Sequence, residues 1–424
     1  MKPNNFFHKL SLIANDAVLR NRILFVAGAL AVFRLLAAIP IPGVNRYELQ
    51  NFFQNNQFFG LLNVFSGGGY SKLSLVMLGV APYITGSIIM QLATIIFPQV
   101  KAMYSEEGEA GRTRFIELSR LLTIPIAIVQ SVAFLSLLQS QGIINSLSPV
   151  QFATNVLLVS AGSVFLMWIG ELITEFGIGN GVSLIIFAGI VSRLPSGISQ
   201  ALFTATAADI PSYLGFGAIA LALIYAVVMV SEAERSIPIA YARQVRGAST
   251  VGAPTYLPIR LLQAGVIPIV FALSLLLLPQ MAFSVLSAAH IAFFTTASLW
   301  YSAFAANSFE YGAAYFVLVV LFTYFYTSIT FEPKRVADNL QKSGAFVPGV
   351  RPGPETERYI SAVVSRVTLP GALFLAAVAV VPFVVQGLTG ISAILVGGTA
   401  LLIAVNVLLD LIRKVDAQIS LHEY

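Results

Sequence analysis

LLNVFSGGGYSKLSLVMLGVAPYITGSIIMQLA, residues 61 to 93, decides how this chain is read. A short apolar stretch runs into three consecutive glycines, Gly67, Gly68 and Gly69, and a charge-free run begins at Leu73. Crossing a bilayer as helix takes roughly 20 apolar residues, so the first stretch is too short and the second is ample. The glycines, which accept backbone angles closed to other residues, place a joint between them.

The same reading extends along the chain. Of 424 residues, 57% are hydrophobic and 10% charged, with a mean hydropathy of +0.84, whereas soluble domains carry about 25% charged residues. The runs Leu73 to Val100, Ile210 to Ser231 and Tyr311 to Phe331 each fit one span. Leu121 to Gly170, Leu261 to Phe309 and Val367 to Leu409 are each long enough for two, with breaks at QSQGIINSLSP, PQMAFSVLSAAH and QGLTGIS. With Ile23 to Ile41 and the stretch after Asn180 these runs have room for eleven crossings, and the expectation is an all-α integral membrane protein of ten spans. The alternating pattern of a membrane barrel is missing.

Ten spans put both termini on one side, and the basic residues choose it. Lys2, Lys9, Arg20 and Arg22 precede the first span, and Lys101, Arg112, Arg114 and Arg120 fall between the second and third. Arg235, Arg243, Arg246 and Arg260 fall between the sixth and seventh. Lys334, Arg335, Lys342, Arg351, Arg358 and Arg366 fall between the eighth and ninth, and Arg413 and Lys414 follow the tenth. Only Arg46, Lys72 and Arg193 lie opposite, and Arg34 sits inside the first span. Positive loops stay inside, so cytoplasmic termini are expected, with basic loops facing anionic lipid.

Residues 1–22 form an amphipathic N-terminal segment, with Phe6, Phe7, Leu10 and Ile13 at helical spacing, as in helices that lie on a membrane. Residues 23–208 make a first half of five spans and 209–410 a second, ending in a short tail, 411–424. An odd number of spans per half inverts the second half relative to the first, as in many transport proteins. The loops 232–260 and 332–366 are long, basic and rich in Pro and Gly, which reads as a shaped docking surface.

Catalysis finds no candidates. FSGGGYSKLS lacks the spacing of a phosphate-binding loop, and EFGIGNGVS is G-x-G-x-G at the entry to a membrane helix. The chain has no cysteine, and its three histidines, His8, His290 and His422, are scattered, so neither a metal nor a cofactor is expected. Arg34 reads either as a gating charge or as an arginine pairing inside the bundle. Intramembrane carboxylates, which ion-coupled transport needs, are scarce, and this counts against a secondary transporter of a small solute.

The motifs RLLAAIPIPGV, NVFSGGGYSKLSLVMLGVAPYITGSIIMQL, SEEGEAGR, ITEFGIGNGVSLIIFAGIV, AERSIPIAYARQVRG, AGVIPIVFA, FEPKRVADNLQKSGAFVPGVRPG and LLIAVNVLLDL occur in that order. Together they resemble the SecY/Sec61 alpha family, the central subunits of protein-conducting channels, over nearly the whole chain. The resemblance implies two inverted five-helix halves around a central pore. That pore passes unfolded, signal-bearing preproteins across the bacterial inner membrane and releases hydrophobic segments into lipid. It also implies that the chain is not an enzyme. Expected partners are SecE-like and SecG-like subunits, the motor ATPase SecA, the ribosome, signal peptides and membrane lipids.

The resemblance also assigns residues. Gly60, Leu61, Leu62, Asn63, Val64, Phe65, Ser66, Gly67, Gly68, Gly69 and Tyr70 match the plug that closes the outer funnel, with its hinge. Val80, Ile84, Ile186, Val270 and Ile403 match the apolar pore ring; periodicity alone would read each of them as helix packing. Ser87, Gln91, Gln130 and Ser274 match a lateral gate between spans two and three on one side and seven and eight on the other. Arg243, Arg246, Lys334, Arg335 and Arg351 match the surface that receives motor or ribosome. The sequence departs from the family at GASTVGAP, where paired arginines are common, and at its short end, HEY.

Overall fold

The computed structural model describes residues 16–42, 73–140, 147–192, 210–241, 255–263, 265–287, 292–389 and 398–422, with a few single positions between them. The expected plug, Gly60 to Tyr70, lies outside the described residues, as do Arg243, Arg246 and the N-terminal amphipathic segment up to residue 15.

Helix α1, Ala17–Leu36, starts where the Asp16 carboxylate accepts hydrogen bonds from the Val18 and Leu19 amides, at 2.8 and 3.4 Å, satisfying two of the donors a helix start leaves open. Helix α2 is Ala81–Ile96 and α3 is Pro98–Ser105. Phe97 between them is extended, the conformation a following proline imposes, and the chain bends there by 115°. Helices α4, Gly108–Ser140, and α5, Pro149–Phe176, follow. A reciprocal capping box of Ser148 and Gln151 sets the start of α5. Helix α6, Gly181–Val191, is capped by Asn180 and completes the first half among the described residues.

The second half opens with α7, Ile210–Glu232, and continues with α8, Ile267–Ser287, α9, Ala292–Ala306, and α10, Ser308–Thr330. Helices α11, Pro333–Lys342, α12, Pro354–Thr389, and α13, Gly398–His422, complete it. By length and composition, four of the described helices can cross a membrane, or five if the bent pair α2–α3 is one span. Residues 261–309, read as room for two crossings, hold one helix of 21 residues and one of only 15. At 1.5 Å per residue the second falls short of a hydrocarbon core about 30 Å thick.

One other expectation needs correction. Residues 73–80 form a chain of turns, so the span expected from Leu73 becomes helical only at Ala81. Arg112, Arg114 and Arg120, expected between the second and third spans, ride on the opening turns of α4. The helix α13 runs on through residues 411–422.

The long basic loops contain structure that sequence did not announce. Strand β1, Glu234–Tyr241, pairs antiparallel with β2, Thr255–Arg260, and with β3, Ala345–Phe346, in the order β2-β1-β3. Ile237 and Ile259 pack with Val347, Ile360 and Val364 in a small core of their own. The two loops are thus one body, seated on the start of α12.

Each half has its own apolar core. Leu73, Met77, Phe134, Leu138 and Val159 belong to the first; Ile269, Leu273, Tyr315, Val319 and Leu375 belong to the second. A third cluster lies where the halves meet, and it holds the candidate site.

Candidate functional site

The turns at residues 73–80 position the first part of the site. The Ile41 amide donates to the Leu73 carbonyl at 2.8 Å, the Leu75 amide donates to the Ile39 carbonyl at 3.0 Å, and Pro40 and Ser74 form a β-bridge. This strap runs hard against α5, because Gly162 leaves no room for a side chain beside the Leu75 carbonyl. Leu73 takes a left-handed backbone, φ 40°, uncommon for any residue but glycine. The strap delivers Val80 to the start of α2, and Ile84 follows one turn on.

Ile186 stands on α6, a short helix that is apolar on every side and buried accordingly. Val270 lies in the first turn of α8 and Ile403 on α13. All five side chains fall in one continuous apolar cluster, which also takes in Phe33, Val76, Leu166 and Ile169. Val80, Ile186 and Ile403 are 1%, 7% and 2% exposed; Ile84 and Val270 are half-buried against them. The five come from both halves. A narrow constriction lined this way dewets, and an ion cannot replace its hydration shell there.

Beside the ring runs a polar seam. Helix α8 packs against α4 and touches α2. Gln130 on α4 donates to the Thr85 hydroxyl on α2 at 3.4 Å, and Gln91 donates to Ser87 one turn away at 3.1 Å. Ser274 stands half-buried on α8. The Gln91 carbonyl oxygen is enclosed and, among the described residues, accepts no hydrogen bond. A buried acceptor without a donor costs about 1–3 kcal/mol. Gln91→Leu should therefore tighten the closed seam by about 1 kcal/mol, slowing insertion of a hydrophobic test segment and raising thermal stability in detergent. Faster insertion with unchanged stability would show that this acceptor carries no penalty.

Other polar contacts join helices where no motif pointed. Arg120 on α4 pairs with Glu171 on α5 at 2.5 Å, both partly buried. Arg413 on α13 pairs with Glu232 at the end of α7, and the Ser231 hydroxyl donates to the Asn406 side chain at 2.8 Å. Arg34, inside the first span, lies 5.8 Å from the centre of the Phe33 ring. In sequence Arg120 and Glu171 were merely the ends of charge-free runs, with nothing to connect them.

Of the docking residues, Lys334 and Arg335 stand exposed in the first turn of α11. Arg351 is exposed on the loop body, where its carbonyl accepts from the Thr356 hydroxyl at 2.8 Å. The apolar cluster and the seam are adjacent through α2; Lys334, Arg335 and Arg351 stand apart from both, on α11 and the loop body.

A family model described as SecY matches residues 74–412. The chain belongs to the SecY family. The protein translocase subunit SecY of Thermotoga maritima is 39% identical over 419 residues, covering 96% of this chain and 94% of that one. The protein of the same description from Helicobacter pylori is 40% identical over 423 residues, covering 96% and 98%. Among solved structures, one describing how the plug domain of SecY maintains a membrane seal matches with a TM-score of 0.65 at 17% identity, covering 93% of this chain and 91% of that one. Sec61 in the canine ribosome–channel complex matches with a TM-score of 0.60 at 16% identity, covering 93% and 91%. Membership in this family makes the chain a multi-pass membrane channel subunit and not an enzyme.

Proposed function

We propose that this chain forms the conducting path for unfolded, signal-bearing preproteins across the bacterial inner membrane, and releases hydrophobic segments sideways into lipid. The observation that carries the reading is the meeting of Val80, Ile84, Ile186, Val270 and Ile403 in one apolar cluster between the two halves. Aliphatic side chains can exclude ions and still rotate aside for a polypeptide. Gly60 to Tyr70 act as the plug, and Ser87, Gln91, Gln130 and Ser274 line the gate. Polar contacts between membrane helices are worth only about 0.6–2 kcal/mol, so an inserting signal helix can displace them.

Both termini face the cytoplasm, in keeping with the basic loops. Arg243, Arg246, Lys334, Arg335 and Arg351 receive SecA or the ribosome, and SecE-like and SecG-like subunits complete the channel. Energy comes from such a partner. The rival reading, a secondary transporter of a small solute, has no intramembrane carboxylate array to couple an ion.

The absence of cysteine from the chain makes the test direct. A single cysteine at Ile84 meets a stalled preprotein that carries its own single cysteine, in reconstituted membranes. Crosslinking should rise and fall with the length of chain fed in. If no stalled length crosslinks while the preparation still transports, the ring is not the path.

A further inference from the structure

Helix α13 brings Ile403 to the apolar cluster along a stretch that does not specify its own rotation. From Ala400 to Leu409 every side chain is aliphatic except Asn406. Leu402 and Ile403 are neighbours, and successive side chains on a helix point about 100° apart. Leu402 belongs to the second-half core with Val227 of α7, whereas Ile403 belongs to the cluster where the halves meet. Leucine and isoleucine have the same volume, and apolar packing tolerates such exchanges. Burial alone therefore does not decide which of the two faces the cluster.

Asn406, one turn beyond Ile403, supplies the missing constraint. Its side-chain carbonyl accepts from the Ser231 hydroxyl at 2.8 Å, and its amide donates to the Leu402 carbonyl at 3.1 Å. Ser231 is buried at the end of α7. The far side of the bond is itself held, because the Ala233 carbonyl accepts from the Leu261 amide at 2.9 Å, at the root of the β1–β2 hairpin. Two turns along α13, Arg413 donates to the Ser231 carbonyl at 3.3 Å and pairs with Glu232. That pair is partly exposed, and exposed ion pairs are worth little. The Asn406 bond lies among apolar helices, where no water replaces a lost partner. A single buried asparagine fixes register in coiled coils in the same way.

We infer that Asn406 is a positioning residue: bonded to Ser231, it fixes the rotation of α13 so that Ile403, and not Leu402, faces Ile186 and the rest of the ring. The inference rests on the reading of Ile403 as part of that ring.

Disulfides report the rotation, since they form only when two Cβ atoms come within about 3.5–4.5 Å and the chain has no cysteine of its own. In the full chain in vesicles, Ile403→Cys with Ile186→Cys reads the described rotation, and Leu402→Cys with Ile186→Cys reads the alternative. Asn406→Leu, which keeps the size of the side chain, should raise the ratio of alternative to described crosslink by about three- to thirtyfold, the range for losing one hydrogen bond between membrane helices. Ser231→Ala should do the same, and the two together should add little, because each breaks the same bond. The exchange of Ser231→Asn with Asn406→Ser should restore the parent ratio, and Glu232→Gln should leave it unchanged. General loosening of the fold moves both crosslinks together and leaves the ratio where it was. An unchanged ratio in Asn406→Leu overturns the inference, as does an equal rise with Glu232→Gln. Chloride leak, read on the same variants without cysteines, should rise with the ratio. A raised ratio without leak keeps the positioning and removes Ile403 from the barrier, so failure of the ring is seen separately.

Discussion

Vesicles carrying the chain with Ile84, Ile186 and Ile403 all changed to serine should lose a chloride gradient at least about tenfold faster than vesicles carrying the parent, a change that needs a barrier lower by only about 1.4 kcal/mol. Each substitution removes an aliphatic side chain from the cluster at the meeting of the halves and puts a hydroxyl there. A wetted constriction no longer strips ions of their hydration. Ile186 and Ile403 are well buried, so serine also costs packing; the triple leucine variant keeps size and apolarity and serves as the control. The leucine variant should seal like the parent. Equal leak from both variants would mean that packing, and not the apolar lining, holds the seal.

Gly162→Ala should be nearly as damaging as Gly162→Val, because the clash begins at the first side-chain atom. A Cβ at this position would lie 2.1 Å from the Leu75 carbonyl oxygen and 2.9 Å from its carbonyl carbon. Both are backbone atoms, and the strap that holds them is itself bonded to residues 39–41. Overpacking of this kind costs typically 1–3 kcal/mol, and more when backbone must shift. The expected result is a half-life at elevated temperature shortened by roughly tenfold or more, since 1.4 kcal/mol is a factor of ten in rate. Gly28→Ala, where nothing lies within 4 Å of the added atom, should be neutral or slightly stabilising, as alanine favours helix. Matching half-lives for Gly162→Ala and Gly28→Ala would refute the close approach. Because the strap leads directly to Val80, Gly162→Ala should also leak.

These two positions show how unevenly the sequence can be read. Charge-free runs marked most of the helices, because a bilayer permits few other arrangements of backbone. The start of α2 was misplaced because residues 73–80 are as apolar as a helix, and only their bonds to residues 39–41 hold them as turns. The ring residues are aliphatic positions among dozens, and helical periodicity cannot separate them from packing; motif context picked them out. Gly162 gave no sign, since glycine is common in membrane helices and its need arises from Leu75, far away in sequence. The strands escaped because Pro238 and Pro258 argue against a sheet, although burial does alternate at Ile237 and Ile239.

The three-stranded sheet also dictates an order of assembly. Strands β1 and β2 form a local hairpin and can pair as soon as both have been synthesised. The pairing of Ala240 with Phe346 and of Tyr241 with Ala345 must wait for about 85 further residues, through which α8, α9, α10 and α11 are threaded. Contacts so distant in sequence form late. A nascent chain whose second half is still entering the membrane therefore presents a lone hairpin, and the finished surface exists only once α10 is in place. Topology alone thus delays completion of the three-stranded sheet until most of the second half has been made.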